Sequence, residues 1–92
     1  RVPDTDDEWQ LTHRLAGYPA TVVDAAKTHN PALLAGYLYD TAKTFSRFYH
    51  DYPIAVSDDA DQREYRLGLS RAIMNMMRHG LTLLNIPFVE AM

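Results

Sequence analysis

The segment NPALLAGYLYDTAKTFSRFYHDYP, residues 30–53, carries the start and stop signals of one long helix. Asn30 can cap the helix, and Pro31 suits the first helical position, where its missing N–H removes no hydrogen bond. Pro53 ends the pattern, because proline disfavours helical dihedral angles at the residue before it. We therefore predict a helix from Pro31 to about His50.

Apolar side chains recur along this segment at helical spacing and define one face. At about 100° per residue, that face spans a sector of roughly 80°. It contains Leu34, Tyr37, Thr41, Phe45, Phe48 and Tyr52. The opposite, solvent-facing sector contains Asp40, Lys43, Arg47 and His50. Tyr49 lies at the edge of the apolar face, so the pattern leaves open whether its ring is packed or available for stacking.

The N-terminal third of the chain predicts two shorter helices. The first begins near Asp6 or Asp7, where acidic side chains suit the helix dipole, and ends at Gly17. The second opens at Tyr18-Pro19 and ends by the THNP segment, because a residue that precedes proline rarely stays helical.

The C-terminal half predicts a loop over residues 51–61 and a fourth helix from about Asp59 to Gly80. Its inward-facing residues are expected to be Tyr65, Leu69, Ala72, Ile73, Met76 and Met77. A final turn with Asn85 in a left-handed conformation and an extended tail should follow. The expected fold is all-α, an antiparallel helical bundle of about four helices with an extended C-terminal tail, and residues 1–92 form a single domain.

Charge is distributed unevenly along the 92 residues. The net charge of −3 argues against a generic nucleic-acid binder, which usually carries a basic excess. However, residues 62–80 hold four arginines against Glu64 alone, while four acids cluster in residues 1–8. The overall charge therefore hides a basic helix.

Side chains that carry catalysis or bind metal ions lack the necessary spacing. The histidines show no pairing three or four residues apart; they are His13, His29, His50 and His79. There is no cysteine, and no serine stands in a nucleophile motif. We expect no catalytic residue, no metal and no cofactor in this chain. The methionines of the fourth helix are interpreted as core, since Met76 and Met77 fall on its apolar stripe.

No segment predicts export or membrane insertion. The first eight residues are acidic rather than apolar, and no apolar stretch approaches the roughly 18 residues that span a bilayer. We therefore expect a cytoplasmic protein with no membrane partner.

Three segments in order resemble a known family. NPALLAGYLYDTAKTFSRFYHDYPI, then RLGLSRAIMNMMRHGLTLLNI, then a terminal EAM resemble the C-terminal end of arginyl-tRNA synthetase, which ligates arginine to tRNA using ATP. The similarity is to its all-helical anticodon-binding domain, often called the DALR domain, and extends from about Trp9 to Met92.

The resemblance implies that this chain binds the anticodon loop of arginine tRNA. The family's tyrosine at the end of the aromatic helix, which contacts anticodon bases, matches Tyr49, and its terminal methionine matches Met92. From their charge we add Arg47, His50, Arg71 and Arg78 as possible contacts to the tRNA backbone.

The resemblance also has departures. The family's domain begins with an additional helix that carries another anticodon-contacting tyrosine, and this chain is expected to start after it. Asn85 stands where the family usually has glycine, and Ala91 stands where an arginine commonly precedes the last methionine. The catalytic domain of the same polypeptide, which binds ATP, is not in this sequence, so the fragment alone is expected to be non-catalytic.

An alternative interpretation is a helical protein–protein interaction or scaffold domain with no nucleic-acid role. Under that reading the aromatic helix is wholly internal, and the net negative charge favours it. The two hypotheses differ in what they predict for Tyr49, which is exposed in the first and packed in the second.

Overall fold

The computed structural model describes residues 5–51 and 59–85, and these ranges form three helices and no strand. They are α1 (Asp6–Lys27), α2 (Pro31–Asp51) and α3 (Ala60–Asn85). The all-α prediction is confirmed, and the aromatic segment forms one helix, as its end signals indicate. The prediction of about four helices is wrong, because the first two are a single helix. The predicted extended tail lies outside the described residues, as does Tyr52.

The expected break at Tyr18-Pro19 does not occur, and Pro19 lies inside the 22-residue α1. An internal proline removes one backbone hydrogen bond and costs about 3 kcal/mol. Packing against the other helices offsets this cost, because Tyr18 is buried in the core. Beside it, the Tyr37 hydroxyl donates to the Arg14 carbonyl at 2.5 Å and joins α2 to this part of α1. Tertiary contacts therefore override the local stop signal.

The C-terminal boundary of α3 also differs from the prediction. Gly80 does not end the helix, which continues to Asn85, and Asn85 is helical rather than left-handed. Gly80 faces Leu38 on α2, where an added Cβ would lie 2.7 Å from a Leu38 methyl carbon. Its lack of a side chain therefore allows close approach of two helices, which sequence spacing did not reveal.

The turn between α1 and α2 has the hydrogen-bond pattern of a Schellman motif. The Asn30 N–H donates to the Ala25 carbonyl at 2.9 Å, and the His29 N–H donates to the Ala26 carbonyl at 3.4 Å. His29 has a φ of 50°, the left-handed conformation that this motif requires. His29 thus occupies the left-handed position of the turn at which the chain reverses direction.

The three helices alternate in direction. Glu8 meets Arg66 and Tyr18 meets His79, so α1 and α3 run parallel. Arg66 lies near Phe48 and Gly80 meets Leu38, so α2 runs antiparallel to α3, and therefore to α1 as well. The core contains Leu11, Tyr18, Ala25, Leu34, Leu38, Phe48, Leu69, Ile73 and Met76. Burial of Phe48 and Ile73 confirms the apolar faces predicted for α2 and α3.

Two ion pairs tie the start of α1 to the other helices. The Arg66 guanidinium donates to Glu8 Oε1 at 3.0 Å, with side chains only 7% and 0% exposed. Arg47 donates to Asp7, with an Nη2–Oδ1 distance of 2.6 Å. The Thr5 hydroxyl caps α1 by accepting from the Glu8 N–H. Asp7 and Glu8 therefore have specific arginine partners in addition to their favourable position on the helix dipole.

Candidate nucleic-acid interface

A groove of about 570 Å³ runs along α3 and is bordered on one side by α2. Tyr49 is its only lining residue from α2 among the described residues. From α3, the lining residues are Arg63, Leu67, Ser70, Arg71, Met74, Asn75 and Arg78. Their spacing of three or four places them on one face of the helix, beside the stripe that enters the core. The groove therefore combines apolar and cationic side chains on one regular element.

The Tyr49 ring is supported at one edge and open elsewhere. It is 57% exposed, and its centroid lies 6.0 Å from that of Phe45. Phe45 in turn lies 6.4 Å from the fully buried Phe48. The question left open by the helical pattern is thus resolved: Phe48 belongs to the core, Phe45 is partly buried against it, and Tyr49 is exposed and lines the groove. A ring held in this way can stack on a planar ligand with little loss of side-chain freedom.

Two groove arginines form no ion pair with an acid among the described residues. Arg71 and Arg78 are exposed and form no ion pair within residues 5–51 and 59–85. They lie two turns apart on α3, or roughly 10 Å along the helix axis. Guanidinium groups arranged in a row along a groove are suited to contact successive phosphates of a nucleic-acid backbone.

Arg47 and His50 have different surroundings. Arg47 does not line the groove; its hydrogen bond to Asp7 raises the pKa of the guanidinium and holds it towards α1. His50 is exposed and lies 3.2 Å from an Asp51 carboxylate oxygen. It also borders a smaller hollow beside Tyr49. The structure therefore brings Tyr49 together with three of the four proposed backbone contacts and directs the fourth elsewhere.

The chain was compared with known proteins. A family model described as the DALR anticodon binding domain matches residues 2–92. The chain belongs to the DALR anticodon-binding domain family. No solved structure matches it.

The relatives of this DALR domain are arginine–tRNA ligases. It is 46% identical over 85 residues to that of Treponema pallidum subsp. pallidum, an alignment covering 92% of the chain and 14% of the relative. It is 35% identical over 91 residues to that of Porphyromonas gingivalis, covering 99% of the chain and 15% of the relative. The ligase of Bdellovibrio bacteriovorus is 41% identical over 85 residues, covering 92% of the chain and 15% of the relative. The chain spans about one seventh of the length of these relatives.

The groove of the DALR domain also contains residues that were not predicted from the sequence, among them Met74 and Ser70. Met74 is 55% exposed and borders both the groove and the smaller hollow, whereas methionines of this helix were interpreted as core. Its position off the stripe of Ile73 and Met76 is a signal that could have separated it from the core methionines. Ser70 lies on the inner side of the groove, and only its tertiary surroundings distinguish it from other helical serines.

Fewer arginines of α3 are available to a ligand than its composition suggests. Arg66 is one of the four arginines that make residues 62–80 basic, but it is buried against Glu8 and stabilises the fold. Its guanidinium carbon also lies 6.0 Å from the centroid of the Phe48 ring. The exposed arginines of α3, Arg71 and Arg78, therefore both lie along the groove.

Among the described residues, no three histidine, aspartate or glutamate side chains are grouped so that they could hold a metal ion. None of the three described helices combines the length and apolarity needed to cross a bilayer. Met92, the other predicted anticodon contact, lies outside the described residues.

Proposed function

We propose that this DALR domain recognises the anticodon loop of arginine tRNA as the C-terminal domain of an arginine–tRNA ligase. Family membership and the names of the relatives support this proposal. The observation that carries it is the groove, where the exposed ring of Tyr49 lies opposite Arg71 and Arg78. An open aromatic ring beside unbalanced cations is the combination used to bind single-stranded nucleic acid.

Binding would use each part of the groove for a different interaction. The Tyr49 ring stacks on an anticodon base that has left the loop stack, an interaction worth about 1–3 kcal/mol. Its hydroxyl remains free to hydrogen-bond to the same nucleotide. Arg71 and Arg78 neutralise phosphates of the loop, and the exposed His50 extends this contact beyond Tyr49. The resemblance adds the carboxylate of Met92 as a further contact to the anticodon.

The apolar support behind Tyr49 favours this role over a flexible surface contact. Phe45 and Phe48 place the ring before the ligand arrives, so little conformational entropy is lost on binding. The wall of the groove opposite the ring is α3, which the buried Arg66–Glu8 pair ties to α1. Ring and arginines are thus presented on regular helices at a set separation.

The chemical step of the ligase would take place elsewhere in the polypeptide. In this proposal the catalytic domain of the full-length polypeptide binds ATP and joins arginine to the tRNA in the cytoplasm. The DALR domain contributes no reacting group. Its binding energy commits the correct tRNA to that distant site. ATP is therefore a substrate of the whole enzyme and not a ligand of this domain.

A direct test is binding of the 92-residue chain to a fluorescently labelled anticodon stem-loop of arginine tRNA, followed by anisotropy. We expect tighter binding than to the stem-loop of a tRNA for another amino acid. Tyr49→Ala should weaken binding by about 1–3 kcal/mol, whereas Tyr49→Phe should retain the stacking part. Tyr39→Ala is the matched control, because Tyr39 is an exposed tyrosine on the same helix but outside the groove.

Two results would contradict the proposal. One is equal affinity for arginine and non-arginine stem-loops, which would leave only charge attraction. The other is equal loss of affinity in Tyr49→Ala and Tyr39→Ala, which would show that the groove is not the binding surface. Helical circular dichroism of each variant checks that the bundle remains folded.

A further inference from the structure

Ser70 is a buried polar residue at the inner side of the groove. It is 6% exposed and lies among the groove-lining residues of α3. Its hydroxyl oxygen has no hydrogen-bond partner within the described part of the chain. Buried hydroxyl groups are normally hydrogen-bonded, because leaving one unsatisfied costs free energy. The Ser70 hydroxyl is therefore a group from which a ligand could gain binding energy.

The threonine hydroxyls along the described helices are satisfied in a uniform way. Six threonines donate to the backbone carbonyl four residues earlier; they are Thr12, Thr21, Thr28, Thr41, Thr44 and Thr82. The equivalent acceptor for Ser70 would be the Arg66 carbonyl, and that bond is not formed. Among the described residues, Ser70 thus differs from these threonines in lacking a hydrogen bond for its hydroxyl, and it lies in the candidate binding groove.

We propose that the Ser70 hydroxyl hydrogen-bonds to the edge of an anticodon base whose face stacks on Tyr49, so that Ser70 determines specificity at one anticodon position. The inference rests on the proposed function and assigns base reading to a particular atom of the groove. A hydroxyl both donates and accepts, so it can pair with either kind of polar atom on a base edge. A base that offers no partner leaves the hydroxyl unsatisfied and is bound less tightly.

Met74 lies one helical turn after Ser70 on the same face and also lines the groove. It is more than half exposed and has an unbranched, flexible side chain. Since helical side chains lean towards the N-terminus, in this proposal Met74 moves aside when the base edge reaches the Ser70 hydroxyl, and it gives the bound base an apolar surface.

The test compares wild type, Ser70→Ala and Thr82→Ala in binding to the arginine stem-loop and to three stem-loops with one anticodon base replaced. Thr82 is the control, because its hydroxyl lies on the same helix but already donates to the Arg78 carbonyl. Ser70→Ala should weaken binding of the arginine stem-loop roughly fivefold, the value of one hydrogen bond. It should also abolish discrimination at one anticodon position and retain it at the other two. Thr82→Ala should preserve both affinity and discrimination.

Thermal unfolding separates this role from a structural one. Ser70→Ala removes a buried hydroxyl that has no partner, so the midpoint of unfolding should stay the same or rise. A clear fall in the midpoint would assign the hydroxyl to the helix and overturn the inference. Unchanged affinity for the arginine stem-loop, or an equal loss against all four stem-loops, would also overturn it. If the proposed function itself is wrong, the result is different, because the wild-type chain itself would then not prefer the arginine stem-loop.

Discussion

The buried Glu8–Arg66 pair supports a quantitative prediction about stability. Both Nε and Nη2 of Arg66 lie 3.0 Å from Glu8 Oε1, and the two side chains are almost completely removed from water. Glu8→Gln keeps the size of the side chain and an oxygen acceptor but removes the negative charge. The change therefore removes the Glu8 counter-charge from the buried Arg66 guanidinium.

Breaking one partner of a buried ion pair typically costs about 3–5 kcal/mol. A small domain has about 5–15 kcal/mol of total stability, so Glu8→Gln should remove a large part of it. Asp7→Asn is the matched control, because it breaks the neighbouring pair with Arg47, whose side chain is 54% exposed. A pair with one partially solvated member is screened, and its loss should cost about 1 kcal/mol or less.

The assay is urea unfolding of the 92-residue chain, monitored by helical circular dichroism. Free energies of unfolding in water for wild type, Glu8→Gln and Asp7→Asn give the two losses directly. A double variant, Glu8→Leu with Arg66→Met, should recover most of the lost stability, since it removes both members of the buried ion pair together. Equal losses for Glu8→Gln and Asp7→Asn, or a double variant as unstable as Glu8→Gln, would refute the reasoning.

Two further predictions concern salt and pH. Arg71→Ala and Arg78→Ala should each weaken stem-loop binding for all anticodon sequences. Each should also lower the slope of log affinity against log salt concentration by about 1, measured between about 50 and 200 mM salt. Lys27→Ala, outside the groove, should change neither quantity, and an equal change there would contradict a groove-specific contact. Burial raises the pKa of Tyr18 above its ordinary value of 10.0, and burial raises that of Tyr37 despite the opposing effect of nearby positive charge. A raised folded-state pKa gives stability that is complete below pH 10 and lost as pH rises through the folded-state value. Urea midpoints should therefore fall above about pH 10, and the fall should be smaller in the Tyr18→Phe, Tyr37→Phe double variant; an identical fall would contradict the assignment.

Most of the helical structure could be predicted from local signals. Asn30-Pro31 and the apolar periodicity that follows correctly placed α2, and the same periodicity identified Phe48 and Ile73 as core. The failures came at Tyr18-Pro19 and Gly80, where local residues indicated helix ends. At both places α1 or α3 continues because side chains from another helix contact it, and such contacts leave no trace in the spacing of a single segment.

The candidate site was predictable in part. Tyr49, Arg71 and Arg78 were selected from sequence and resemblance, and the structure places them around one groove. Arg47 was selected for the same charge, yet it is held by Asp7 from α1. Two arginines with the same charge can thus have different partners, and only the packing of helices distinguishes them.

The order of residues by itself determined that this chain is helical, which faces of α2 and α3 enter the core, and which family it belongs to. The helices and their faces depend on the periodicity of apolar residues and on capping signals, both of which are local, whereas the family is identified by the likeness of its segments to those of known members. Only the tertiary structure decided that Pro19 stays within a helix, that Glu8 neutralises Arg66, and that the Ser70 hydroxyl is buried without a partner. Each of these depends on the distance between atoms of different helices or on the solvent they exclude, which a linear sequence does not specify.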